Sequence, residues 1–361
     1  MAEKTEKRKA EHIRICLEQK AQARKATAGF EDIQLIHRAL PEIDRQEINL
    51  STSFLGKKFN APLIVGAMTG GTEIATQINA SIAQAVEKLG LGMGVGSQRA
   101  AIEDRKLEKT YAIARKKAPN AFLIANIGGV QLVRGYGIKE VKKAIEMIDA
   151  DAVAVHLNAL QEAVQPEGQT NFKGVLAKIG EVAGELDCPV IVKETGAGIS
   201  AEDAKALEAA GVKAIDVGGL GGTSFAAVEY YRSTGKTSLG EAFWDWGIPT
   251  AISVIETTQS IKLPVVASGG VRSGIDIAKA LALNANLASV SQPVLEAAVK
   301  SNVETENLLS FLIEELRNVM FLVGAKNIDC LAKVPLVISG ATAEWLKTRG
   351  FNIEGYARRG A

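Results

Sequence analysis

Eight short apolar runs, separated by stretches of helical spacing, constrain this chain more than any other feature. They lie at 62–67 (PLIVGA), 91–95 (LGMGV), 121–126 (AFLIAN), 151–156 (DAVAVH), 189–194 (PVIVKE), 213–217 (KAIDV), 264–268 (PVVAS) and 287–291 (LASVS). Each is too short for a helix and apolar on both alternating faces, the pattern of a parallel strand covered on both sides. Helical spacing occurs between them at 75–89, 103–117, 139–148, 201–210 and 274–283. Eight strands alternating with helices predict an α/β fold, a (β/α)8 TIM barrel in preference to a large doubly wound sheet. The 361 residues are read as one barrel domain. Residues 1–50 form an N-terminal cap, 62–325 the barrel and 326–361 a C-terminal helical extension. Two loops, 165–173 and the Gly-, Ser- and Thr-rich 218–250, exceed ordinary connection lengths and are expected to carry function.

Composition narrows the partners. Lys plus Arg is 42 against 41 Asp plus Glu, so no long-range field steers the chain to nucleic acid or an anionic membrane. Any anion must be gripped locally. Three cysteines without metal-ligand spacing point to a reducing, cytoplasmic location. The first residues are charged rather than apolar, and no apolar run approaches the ~18 residues of a spanning helix.

In a barrel of this class the chemistry gathers at the C-terminal strand ends, and here all eight carry donors, glycines or titratable groups. The segment SGGVRSG at 268–274 lies between strand seven and a helix. Its glycines admit an anion to backbone N–H groups, and Arg272 adds a charged donor, so it reads as a phosphate site. Lys193 ends an apolar strand and points into the barrel mouth, either to form a Schiff base or to stand as a fixed cation beside an anionic ring. His156 and Asn158 share one face of an extended segment, with Gln161 and Glu162 following. The three histidines form no metal triad by spacing. Glu162 suits Mg2+, an ion that binds through one or two carboxylates plus substrate phosphates. On a helix, Arg8 and Lys9 fall one turn before His12 on one face, a cluster suited to a diphosphate or to a solvated helix end.

These residues resemble a known family. RKAEH at 8–12, MTGG at 68–71, GVGSQR at 94–99, HLNALQE at 156–162, QPEG at 165–168, VKETGAGIS at 192–200, GGLGGTSF at 218–225, DWGIPT at 245–250 and SGGVRSG at 268–274 are similar, in order, to the type 2 isopentenyl diphosphate isomerases. The resemblance runs from about residue 7 to at least residue 325. It implies an FMN-dependent barrel that interconverts isopentenyl and dimethylallyl diphosphate with reduced flavin and Mg2+. NAD(P)H would serve only to reduce the flavin, and a homo-oligomer, tetramer or octamer, is implied. Carried over by position, Ala67, Met68, Thr69, Ser97 and Asn126 would line the flavin, with Lys193 beside its ring. Thr223, Gly270 and Arg272 would hold its phosphate side, where Ser291 and Gln292 are further candidate donors. Arg8, Lys9, His12, Ser97, Arg99, His156, Asn158 and Gln161 would bind the substrate, and Glu162 the metal. Gln161, Lys193 and His156 are the candidate catalytic residues, Gln161 as a proton relay or orienting group. The chain departs from the family at Leu283-Asn284-Ala285, at Ser289-Val290-Ser291-Gln292 and at Phe225, where an indole is frequent. Rival readings are a flavin oxidase of hydroxy acids, a Schiff-base aldolase using Lys193, and a catalytically silent flavin-binding barrel.

Overall fold

The computed structural model describes residues 2–233 and 239–360, with side chains from Arg8 onward. A stretch of the long loop 218–250, at 234–238, lies outside the described residues. All eight apolar runs are strands: β1 (Leu63–Val65), β2 (Gly92–Gly94), β3 (Phe122–Gly128), β4 (Ala152–Leu157), β5 (Val190–Glu194), β6 (Ala214–Asp216), β7 (Val265–Ala267) and β8 (Leu287–Val290). Each pairs in parallel with the next, and β8 closes on β1 through Ala288↔Leu63 and Val290↔Val65. The fold is therefore a closed (β/α)8 barrel.

Strand alternation decides what fills it. Side chains two apart face the same way, and the inward set near the strand starts is apolar: Ile64, Ile124, Ala154, Ile191, Ala214, Val266 and Leu287 share one buried cluster. A hairpin, Thr52–Phe54 with Lys57–Phe59, plugs that end. Its two-residue turn, Leu55 and Gly56, has positive φ at both positions, as a tight hairpin requires. Phe54 and Phe59 then pack with Phe122 at ring separations of 5.5–6.5 Å, each such pair adding ~0.5–1.5 kcal/mol beyond area burial.

The opposite end is roofed by the N-terminal segment. The helix Ala2–Glu18 buries Ile13 and Ile15, and Ile15 packs against Ala227, Val228 and Trp244 from the 218–250 loop. Trp244 Nε1 donates to Gln22 O at 2.8 Å, and Arg24 stacks 3.3 Å from its ring centroid. Three local expectations need correction. The helix expected at 103–117 is broken: Arg99–Glu103 stops at Asp104, which caps a 3-10 turn, and Lys109–Lys117 follows. The 218–250 loop contains two helices, Phe225–Arg232 and Leu239–Ala242. The segment 326–361 is not purely helical, because Leu336–Ile338 pairs antiparallel with Ile33–Leu35 and ties the two ends of the chain together. Among the described residues no helix is long and apolar enough to cross a membrane.

Candidate active site

Two residues beyond the apolar inward layer, the same alternation places Gly66, Asn126, His156, Lys193, Asp216, Ser268 and Ser289 around the floor of one large pocket. Above this polar ring stand Ala67, Met68 and Thr69 from the end of β1 and Ser97 from the β2 end, with Thr223, Gly270, Arg272, Ser291 and Gln292 on the β6–β8 side. Arg8, Lys9 and His12 of the N-terminal helix complete the wall with Arg99, Asn158, Gln161 and Glu162. Every candidate catalytic, cofactor, substrate and metal residue named from the sequence thus lines a single cavity.

Two anion grips line it. After β7, Arg272 and Ser273 give their N–H groups to Asp276, and Gly274 gives its own to Glu315. That helix start is satisfied by protein carboxylates, so the charge left for a ligand there is the Arg272 guanidinium, whose Nη1 donates to Gln292 Oε1 at 3.1 Å. The next helix, Gln292–Lys300, has no side-chain cap at Ser291, and its open N-terminus, positive by its dipole, faces the pocket. In the second grip Arg8 lies below its ordinary pKa, first through burial and then through the charge of Arg99. Among the described residues its close counter-ion is Glu167 at 3.9 Å, while Arg99 pairs with Glu103 at 2.8 Å. Crowded cations of this kind favour an anion between them.

Lys9 is fully committed within the protein. Its Nζ donates to Gly70 O (2.9 Å), Ser97 O (2.6 Å) and Tyr111 OH. Burial, then Arg8, pulls it down to about 7. It fastens the N-terminal helix to the ends of β1 and β2. Glu162 is buried, accepting from Asn158 Nδ2 (3.0 Å), Gln165 Nε2 (3.1 Å) and Gln169 N (2.7 Å). Among the described residues no three His, Cys, Asp or Glu side chains cluster as a metal cage.

Gln161 is held at both ends, its Oε1 accepting from Asn158 Nδ2 at 3.2 Å and its Nε2 donating to Glu229 Oε1 at 3.5 Å. Glu229 was not legible in the sequence as a site residue. It is buried on Phe225–Arg232, bound to His12 Nε2 at 3.0 Å and to Arg232. Burial opposes its charge, but His12, then Arg232 and Gln161, outweigh it and hold the carboxyl below its usual range. Asp216 and Ser289, which line the floor, were given no site role from the sequence. Only counting two residues on from each apolar inward position would have found them.

His156 is half-buried in the pocket wall, and desolvation, followed by the charges of Lys193 and Lys9, pushes it down to about 3. Asn126 Nδ2 donates to Val95 O at 3.0 Å, so its Oδ1 accepts from His156 Nδ1 at 2.8 Å and leaves Nε2 with its lone pair. A base depressed below its unfolded value of 6.5 contributes fully above that pH and costs stability as the pH falls towards 3. One such proton is worth ~2 kcal/mol between pH 6.5 and 5. Thermal unfolding of His156→Asn should therefore lose less stability over that interval than the native protein, and parallel curves would count against a desolvated neutral imidazole.

A family model described as FMN-dependent dehydrogenase matches residues 1–124 and 139–336, and the chain belongs to that family. Within it, relatives about half identical to this chain carry the name isopentenyl-diphosphate delta-isomerase, and the chain is a member of this type 2, FMN-dependent isomerase group. The protein of Methanosarcina barkeri is 51% identical over 100% of this chain and 99% of its own. That of Methanothermobacter thermautotrophicus is 50% identical over 98% and 99%, and that of Pyrococcus furiosus 51% over 95% and 89%. Among solved structures, a mandelate oxidase variant superposes with a TM-score of 0.64 at 19% identity, covering 91% of this chain and 96% of that one. A lactate oxidase of Pediococcus acidilactici gives 0.63 at 19%, covering 94% of each. At these identities the structures speak for the fold alone.

Proposed function

We propose that this enzyme interconverts isopentenyl and dimethylallyl diphosphate, with reduced FMN bound over the polar floor and Mg2+ on the substrate diphosphate. The observation that carries the reading is the pair of anion grips in one cavity: Arg272 with an open helix end, and Arg8, His12 and Arg99. A flavin mononucleotide and a diphosphate substrate together need two such grips.

The residues present fit FMN. Gly66 leaves a notch that a Cβ would close, since that atom would lie 2.3 Å from Ser291 Oγ and 2.9 Å from Ser289 Oγ. Among the described residues Ser289 Oγ is buried without a partner, a donor in want of an acceptor. Arg272, Gly270, Thr223, Ser291 and Gln292 would hold the phosphate, Ala67 to Thr69 with Ser97 and Asn126 would line the ring, and Lys193 would stand beside it. Reduced FMN would supply a transferable proton that the side chains lack, and NAD(P)H would keep it reduced. Glu162 fits Mg2+ as one carboxylate beside Asn158 and Gln165, whose amides can turn their oxygens inward. The Arg8 and Arg99 guanidiniums would anchor the diphosphate, with His12 placed against them by Glu229. Their grip supplies binding energy that a five-carbon tail cannot. Gln161, fixed between Asn158 and Glu229, would orient the double bond and pass a proton towards Glu229. The free thiols of Cys16, Cys188 and Cys330 agree with a cytoplasmic setting. By the same family resemblance the enzyme would assemble as a homo-tetramer or homo-octamer.

The test is an anaerobic assay with FMN, reductant, Mg2+ and isopentenyl diphosphate, reading dimethylallyl diphosphate. Product should require reduced flavin. Glu162→Gln should cut the rate ~100-fold at limiting Mg2+, and some of that loss should return at high Mg2+. No product with FMN bound and reduced would sink the reading.

A further inference from the structure

The floor of the pocket contains a cation, Lys193, and a carboxylate that no binding role above uses. Asp216 is the register partner of Lys193 across β5 and β6; its carboxylate is buried, Lys193 is half-buried, and both line the same polar ring. Its surroundings are those of an acceptor. Ser268 Oγ accepts from Gly218 N at 3.0 Å, which directs the hydroxyl proton to Asp216 Oδ1. Gly218 N–H lies against the carboxylate as well. A group receiving O–H and N–H donors is arranged to be an ionised carboxylate, although burial raises its pKa.

The other groups around Lys193 are His156, held neutral, and Glu194. Glu194 is occupied differently. Its Oε2 accepts from the N–H groups of Thr195, Gly196 and Ala197 at 2.6, 2.6 and 2.5 Å, so the turn after β5 consumes its charge. For Asp216 the nearby Lys193 is the largest influence opposing the effect of burial, whereas for Glu194 the backbone donors of Ala197 and Gly196 come first. Lys193 Nζ itself donates to Glu194 O, not to its carboxylate.

We propose that Asp216, oriented by Ser268, is the counter-ion of Lys193 and limits how strongly that lysine favours the negatively charged, reduced form of the flavin. Asp216 is thus a positioning residue acting through Lys193. The inference rests on the FMN reading above. An uncompensated ammonium in a buried floor attracts an anionic ring more strongly than one whose charge is already shared. Removing the carboxylate therefore raises the flavin potential.

The experiment is an anaerobic equilibrium reduction of the FMN-loaded protein against a reference dye, with oxidised-FMN affinity measured separately by fluorescence quenching. Asp216→Asn should favour reduced over oxidised FMN at least ten-fold more than the native protein does, a rise of about 30 mV for a two-electron couple. Ser268→Ala should shift it the same way by less. Asp216→Glu, which keeps the charge, should lie nearer the native value, and Glu194→Gln should move it less than Asp216→Asn. An unchanged or lowered potential in Asp216→Asn, or a larger shift in Glu194→Gln, overturns the proposal while leaving the FMN reading intact. Failure of the native protein to bind FMN overturns both. Should Asp216→Asn fail to fold, Ser268→Ala decides: no upward shift in that variant refutes the inference.

Discussion

Replacing Glu229 by glutamine is expected to lower anaerobic turnover by ~10²–10⁴, the usual range for removing a positioned proton acceptor. Size and shape are kept, so packing on Phe225–Arg232 should survive. What is lost is the charge on which His12 and Arg232 converge and towards which Gln161 points. Among the described residues the pocket offers no pair of free carboxylates for moving a proton on and another off a five-carbon chain. Glu162 is enclosed by amides, Glu194 by its own turn, and Asp216 is engaged by Ser268 on the floor, whereas Glu229 is the carboxylate reached through Gln161. Steady-state kinetics separate two roles. If Glu229 takes a direct role in proton transfer, kcat falls and KM changes little. If it only places His12 against the diphosphate, KM rises and kcat holds, and the relay through Gln161 is then wrong. Gln161→Ala should reproduce the kcat loss without the effect on His12.

The barrel was legible because its evidence is repeated. Eight buried strands each needed a short two-faced apolar run, and no single run had to be decisive. The candidate site was legible where a residue type is out of place, as with Lys193 at the end of an apolar strand, whereas Arg8, Lys9 and His12 on one helical face equally suited a solvated helix end until the family resemblance weighed in. It was obscure where the residue looks ordinary. Asp216 sits inside KAIDV and reads as the polar edge of a strand, yet it faces inward because Ala214 does. Glu229 lies in a segment read as loop, and its partners come from residues 12, 161 and 232, distances that no local spacing expresses. The hairpin that plugs the barrel was missed for a related reason, since Phe54 and Phe59 act only once Phe122 is brought beneath them. The broken helix after β2 followed from local chemistry, for Asp104 accepts from Lys106 N and stops the preceding turn.

Alanine at Gly269 is expected to destabilise the protein by about 3 kcal/mol or more and to weaken FMN binding ~100-fold. Gly269 has φ +102, and a Cβ there would lie 2.0 Å from Gly219 O and 2.7 Å from Gly219 C, backbone atoms that cannot turn aside. The loops after β6 and β7 are joined at this point. Gly219 N donates to Ser268 O at 2.8 Å, and Thr250 Oγ1 donates to Gly269 O at 2.6 Å. Left-handed strain alone costs ~1–2 kcal/mol, and the clash must then push apart the loops that carry Thr223, Gly270 and Arg272. Gly211 provides the control, with φ +86 and nothing within 4 Å of its Cβ position. Alanine there should cost only the backbone strain and leave FMN affinity unchanged. Fluorescence titration and thermal unfolding of the two variants distinguish a cradle from a turn. Equal FMN affinities would mean that the glycines serve loop packing and that the phosphate is held elsewhere, at the open end of Gln292–Lys300. A loss confined to Gly269→Ala means that close approach of these two loops is what builds the flavin site.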